Sequence, residues 1–143
     1  MAQNRNNPSV GLVTARRHPA GYLEGRAVRG SGRRGEVLAG FLQSDVQGDL
    51  DQARALLAEI GAVERGEAPQ PAAIGNAYSV RVSPEGVTIG NAVVENSRPE
   101  QYGFDELRHA LGIWIAAIAR ARRNPRLTAF AGPAGGGARI VRR

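Results

Sequence analysis

Ala77-Tyr78-Ser79-Val80-Arg81-Val82-Ser83-Pro84-Glu85-Gly86-Val87-Thr88-Ile89 is the stretch from which the fold is read. Tyr78, Val80 and Val82 alternate with Ser79 and Arg81, the two-residue period of a strand with one face on a core. Ser83-Pro84-Glu85-Gly86 follows at once, with proline at the second and glycine at the fourth turn position. That order suits a type I turn closed by a left-handed glycine. Val87 to Val94 then returns as the partner strand, with Val87, Ile89 and Val93 on one face.

On the C-terminal side a polar loop from Glu95 to Gly103 leads into a helical pattern. Phe104, Leu107, Ala110, Leu111, Trp114, Ile118 and Ala121 fall at spacings of three and four, a single apolar stripe. Asp105 and Glu106 at its start and Arg120, Arg122 and Arg123 at its end suit the helix dipole, and Asn124-Pro125 stops it. On the N-terminal side, GEAPQPAAIG from Gly66 to Gly75 reads as a loop because its prolines interrupt regular hydrogen bonding. Before it, Asp49 stands where a helix cap belongs, with Gln52 placed to reach back, and Leu50, Ala53, Leu56, Leu57, Ile60 and Val63 form a second stripe. Glu36 to Leu42 (EVLAGFL) is apolar on both faces and is expected as a strand covered on two sides. Gly11 to Ala15 and Tyr22 to Val28 are two further strand candidates, the second as a hairpin partner for the strand after Gly35.

The expected fold class is α+β: a small antiparallel sheet packed with two amphipathic helices in β-α-β-β-α order. One domain over residues 36–124 is expected, flanked by a basic, mostly disordered segment 1–35 and a flexible Arg/Gly-rich tail 125–143. All 19 basic residues are arginine, and the chain carries +6 overall. Residues 36–118 hold five arginines against twelve carboxylates, a balance of −7, while residues 1–35 carry +6 and residues 119–143 carry +7. The middle of the chain is therefore expected to be an acidic body between cationic ends. No apolar run is long enough for a bilayer span, and Val10 to Val13 is too short for a secretory signal core, so a cytoplasmic location without membrane contact is expected. With no cysteine there are no disulfides and no thiolate chemistry.

Few residues invite a catalytic reading. No G-x-S-x-G elbow is present, and the two histidines are His18 and His109. His109 lies one helical turn after Asp105, the spacing at which an acid can orient a general base, although exposed pairs of this kind are usually only modest helix supports. Asp49-Leu50-Asp51 could offer two carboxylates to a metal, but acids at a helix start are ordinary cap and dipole partners. Gly132 to Gly137 lacks the G-K-[ST] ending and a following helix, and GSGRRG (Gly30 to Gly35) does not follow a credible strand, so both read as linkers and not as phosphate loops. No catalytic residue, metal or cofactor is assigned. The arginine-rich ends support an alternative role as nucleic-acid contacts, since mobile cationic segments bind phosphates by releasing counterions.

Gly40-Phe41-Leu42-Gln43-Ser44-Asp45-Val46-Gln47, a helix, Gly75-Asn76-Ala77-Tyr78-Ser79-Val80, Val87-Thr88-Ile89 with Asn91 and Glu95, and a helix with Phe104, Leu107, Leu111 and Trp114 follow one another over residues 36–118. This succession resembles the immunity proteins of contact-dependent growth inhibition and is similar in layout to the small YacL-like bacterial proteins. The resemblance implies a non-enzymatic protein that neutralises a cognate toxin, often a nuclease, by stoichiometric binding. A cationic nuclease surface would be met by carboxylates, and Asp45, Asp49, Asp51, Glu95, Glu100, Asp105 and Glu106 are the contact candidates, at strand ends and helix starts.

Overall fold

A computed structural model describes residues 11–70, 73–94 and 96–123. The chain opens with a hairpin of β1 (Val13–Arg17) and β2 (Leu23–Ala27), followed by helix α1 (Gly32–Phe41), which runs into a π-helical turn, Leu42–Val46. Helix α2 (Leu50–Glu64) precedes a four-stranded antiparallel sheet in the order β3 (Ala73–Ile74), β4 (Tyr78–Ser83), β5 (Gly86–Asn91), β6 (Glu100–Tyr102). Helix α3 (Phe104–Arg123) closes the described chain. The class is α+β.

The central hairpin forms as expected, with Tyr78 opposite Asn91, Val80 opposite Ile89 and Ser83 opposite Gly86. Gly86 takes φ 136°, the left-handed conformation the turn requires. Val82, Val87 and Ile89 are buried, whereas Val93 lies beyond the strand and is 71% exposed, so it does not share their face.

Two further expectations are corrected. Glu36 to Leu42 is helical, not a strand. Gly35, Leu38, Phe41, Leu42, Asp45 and Val46 fall within one arc of a helix and are buried, while Arg33 and Glu36 lie on the opposite, exposed side. A strand would have needed cover on two faces, whereas the helix needs it on one. Gly40 is a packing site, where a Cβ would collide with the Tyr78 hydroxyl.

Residues 11–35 are the second correction, because from Gly11 onward they are integral to the fold. β1 pairs with β2 over Val13↔Ala27 to Arg17↔Leu23, leaving α1 to pack on the hairpin instead of pairing with it. Val13 is buried, and Gly25 lets β2 approach α1 so closely that a Cβ there would stand 2.7 Å from the Ala39 carbonyl oxygen. Residues 1–10 and the tail 125–143 lie outside the described residues.

Leu38, Leu42, Ile60, Ile89, Leu107, Leu111 and Trp114 are fully buried and form one core shared by both sheets and all three helices. Asp49 caps α2, its Oδ1 accepting from Gln52 N at 3.1 Å. The reciprocal arm of a capping box is replaced, since Asp49 N already donates to Val46 O at 3.0 Å. Among the described residues no helix is long and apolar enough to cross a membrane.

Gly25→Ala is expected to lower stability by about 1–3 kcal/mol, the usual penalty for forcing extra volume against fixed backbone. Gly112→Ala, on an open face of α3 where an added methyl meets nothing, is expected to raise it by about 1 kcal/mol. Urea unfolding of both variants decides, and equal effects would mean that β2 does not lie against α1 as described.

Candidate functional site

The loop between β5 and β6 is the most sharply shaped part of the surface. Asn91 ends β5, and its Oδ1 accepts from the backbone N–H of Val93 at 2.9 Å and of Val94 at 3.1 Å. Such an Asx turn fixes the backbone with the residue's own side chain. Asn96 takes φ 64°, a left-handed conformation that asparagine tolerates better than other non-glycine residues. At the far end Arg33, reaching across from α1, pairs with Glu100 and donates through Nη2 to Ser97 Oγ at 3.0 Å and to Arg98 O at 2.7 Å.

A loop fastened at both ends thus holds two branched aliphatic side chains in water, with Val93 71% and Val94 55% exposed. Beside them a cleft of about 520 Å³ is lined by Arg33, Asn96, Ser97, Arg98, Pro99 and Glu100. Arg98 is exposed and makes no ion pair among the described residues.

The seven acidic candidates meet different fates. Asp45 is 6% exposed, and its carboxylate oxygens each accept at 3.0 Å, from Ala77 N and Tyr78 N. Its charge is spent inside the fold, where it and burial together raise the Tyr78 phenol above its ordinary pKa, burial being the larger cause. Glu100 pairs with Arg33, Glu106 with Arg34 at 2.5 Å, and Asp105 with Arg108 at 2.9 Å. Glu95 lies outside the described residues. Asp49 and Asp51 remain exposed at the start of α2, the first serving as the cap.

Charge therefore distributes differently from the expectation of an acidic body. Once the hairpin and α1 join the fold, residues 11–123 hold fourteen arginines and thirteen carboxylates, a balance of +1. The strongly acidic middle was an effect of cutting the chain at residues 36 and 118, since residues 11–35 add +5 and residues 119–123 add +3.

Arg34 is the centre of this neutralisation. Its guanidinium donates twice to Gln101 O, at 3.1 and 2.8 Å, so it covers an outward carbonyl of the edge strand β6. It also lies 5.0 Å from the centre of the Tyr102 ring, whose hydroxyl donates to Arg34 O at 2.8 Å. Glu106 Oε1 accepts from Gly103 N at 2.9 Å, capping α3. Burial works against the Glu106 charge, but the hydrogen bonds from Arg34 and Gly103 and the Arg34 charge outweigh it, holding this carboxyl below its ordinary range.

The possible acid–base pair is not formed. Asp105 is turned to Arg108, which also pairs with Glu64 of α2, and His109 stands against Gly11. Among the described residues no three His, Asp or Glu side chains converge as metal ligands. Among the residues that shape the loop, Val93 was read as a core-facing strand residue and Asn91 only as part of the resemblance, and neither these nor Val94 and Arg33 were marked as site residues. The Asn91 side chain two residues before Val93 was the available signal.

Comparison with known proteins finds no matching family model, no significantly similar curated protein and no significantly similar solved structure.

Glu106→Gln is expected to lower stability at pH 7, because the paired carboxylate is lost. A carboxyl whose folded pKa is depressed stabilises above its unfolded pKa and loses that contribution as pH falls through the folded value. The gap between wild type and variant should therefore close between the ordinary glutamate range and lower pH. Urea midpoints at pH 7 and pH 3 check this, and a gap unchanged at pH 3 would contradict it. Asp45→Asn leaves one of two half-buried N–H groups without its acceptor, and a loss of about 1–3 kcal/mol is expected in the same assay.

Proposed function

We propose that this chain works by binding, as a non-enzymatic immunity protein that neutralises a cognate toxin domain, a nuclease, in a one-to-one complex. The observation that carries this reading is the outward presentation of Val93 and Val94 on a loop fixed by Asn91 and Arg33. Apolar side chains held in water are an unfavourable arrangement that a covering partner relieves. Residues already fixed by the Asn91 side chain lose little conformational freedom on association, so more of the contact energy is kept as affinity.

The resemblance over residues 36–118 supports the same reading. Electrostatics contribute less than the sequence suggested, because a body with a balance of +1 is not steered as a whole to a cationic surface. Asp49 and Asp51, exposed at the start of α2, are the carboxylates best placed for a local contact with a basic nuclease. Asp105, tied to Arg108, does not orient His109, which favours binding over acid–base catalysis as the activity.

The test is co-expression of the full chain with a toxic C-terminal domain encoded in the adjoining reading frame. Growth protection and a stable complex are expected from the wild type. Replacing both Val93 and Val94 by Asp should weaken the complex at least about thirtyfold, the scale of an interface hot spot, without changing the melting temperature of the protein, since both side chains are exposed. Deleting residues 1–10 and 124–143 should leave protection intact. A complex that tolerates the double substitution but is lost with the ends would overturn the reading in favour of the arginine-rich segments.

A further inference from the structure

A second cleft, of about 430 Å³, opens between the turn of the β1–β2 hairpin and the last turns of α3, and it shares no lining residue with the first. Leu23 and Ile118 give it apolar walls, Tyr22 stands at its hairpin side, and Gln43, Gln47 and Arg122 supply polar groups.

Tyr22 is 42% exposed and its ring stacks on His18, with centroids 4.4 Å apart and planes 10° from parallel. The turn beneath is tightly bonded: His18 N donates to Tyr22 O at 2.8 Å, Gly21 N to His18 O at 2.7 Å, and Ala20 N to His18 Nδ1 at 3.0 Å. The aromatic plate is therefore fixed before any ligand arrives.

The two glutamines are oriented by opposite ends of their amides. Gln43 Oε1 accepts from Gly25 N at 3.0 Å, so its NH2 group remains as a donor. Gln47 Nε2 donates to Ser44 O at 2.6 Å, so its Oε1 remains as an acceptor. Gln47 takes a left-handed φ of 54°, and its carbonyl accepts from Trp114 Nε1 at 2.6 Å. Arg122 is exposed and makes no ion pair among the described residues.

We propose that this cleft is a nucleotide site, taking one nucleoside phosphate with its base against Tyr22, its base edge on the Gln43 donor and the Gln47 acceptor, and its phosphate at Arg122. Each part of the lining selects against the alternatives. An aliphatic carboxylate would leave the aromatic plate and the Gln47 acceptor unused, and an inorganic anion would use neither the aromatic plate nor the apolar walls. A base offers a π face and neighbouring donor and acceptor atoms together. The unit could be a free mononucleotide or one residue of a single strand. This site is independent of the toxin-binding reading.

Trp114 is the only tryptophan and touches Gln47 directly, so its fluorescence reports on the cleft. The full chain is titrated with AMP, GMP, CMP and UMP, with a short single-stranded RNA, and with inorganic phosphate. Saturable binding of at least one mononucleotide is expected. Tyr22→Ala and Arg122→Glu should each weaken it about tenfold, the effect of losing one stacking or phosphate contact. Arg123→Glu, one residue away and off the cleft, should stay within twofold, and the double Val93/Val94→Asp variant should bind as wild type. RNA binding far tighter than any mononucleotide identifies the strand as the source, and equal affinities identify the free nucleotide. The proposal is overturned if neither nucleotides nor RNA bind at millimolar concentration, if Arg122→Glu and Arg123→Glu lose affinity equally, or if phosphate alone competes as well as a nucleotide.

Discussion

The buried carboxylate of Asp45 is the contact on which the arrangement of elements depends. It sits in the π-helical turn after α1 and accepts from two successive backbone N–H groups at the start of β4. Those groups, half-buried where β4 begins, would otherwise lose this acceptor, a costly state for backbone partly withdrawn from water. Two residues later Gln47 receives the Trp114 indole, so the same short turn fixes α3 as well. The wider turn is what makes both contacts possible: Gln47 N bonds back five residues to Leu42 O at 2.8 Å, which re-aims the following side chains relative to an α-helix. Sheet, hairpin helix and C-terminal helix thus meet at Asp45-Val46-Gln47.

The same economy governs the charges. Arg33 and Arg34 lie in a segment that by composition looks detachable, yet they satisfy Glu100, Glu106 and the outward carbonyl of Gln101. Exposed ion pairs of this kind add little to stability individually. Their effect is geometric: Arg33 shapes the loop before β6, and Arg34 blocks the edge of the sheet against further strand pairing. A charge tally over a sequence window cannot reveal this, since it depends on which segments fold together. Asp105, Glu106 and Glu100 read as a free acidic cluster until the arginines opposite them are placed.

What was legible in the sequence was the part in which local signals agree. Alternation at Tyr78, Val80 and Val82, the Pro84–Gly86 turn, the Asp49 cap and the stripe through Trp114 all act within a few residues, and the hairpin and two helices follow from them. The segment Glu36 to Leu42 was misread because its start was taken four residues too late. Arg33 and Glu36 supply the polar face that identifies a helix, but Gly32, Gly35 and Gly40 look like interruptions. Gly40 is required by the Tyr78 hydroxyl, which is 38 residues away in sequence and invisible to any periodicity. The candidate surface was the least legible for the same reason. Val93 continues the strand pattern of Val87 and Ile89, and only the Asn91 side chain, by stopping the strand, turns it outward.

The two surface features differ in how they are built, and the difference bears on what each can bind. Val93 and Val94 protrude from a convex loop, so their apolar area can be removed from water only by a surface large enough to surround it, which is the geometry of a protein partner. The cleft beside Tyr22 is concave, and its amides are already half-used by the fold, leaving one donor and one acceptor on fixed side chains. Such groups recognise a small rigid ligand with few atoms, because a mismatch leaves a polar atom without a partner. Since the cleft is walled by the hairpin turn and α3, any occupant bridges the first and last elements of the described fold. Binding there would raise the free energy of separating the hairpin from α3, by mass action on the folded state alone.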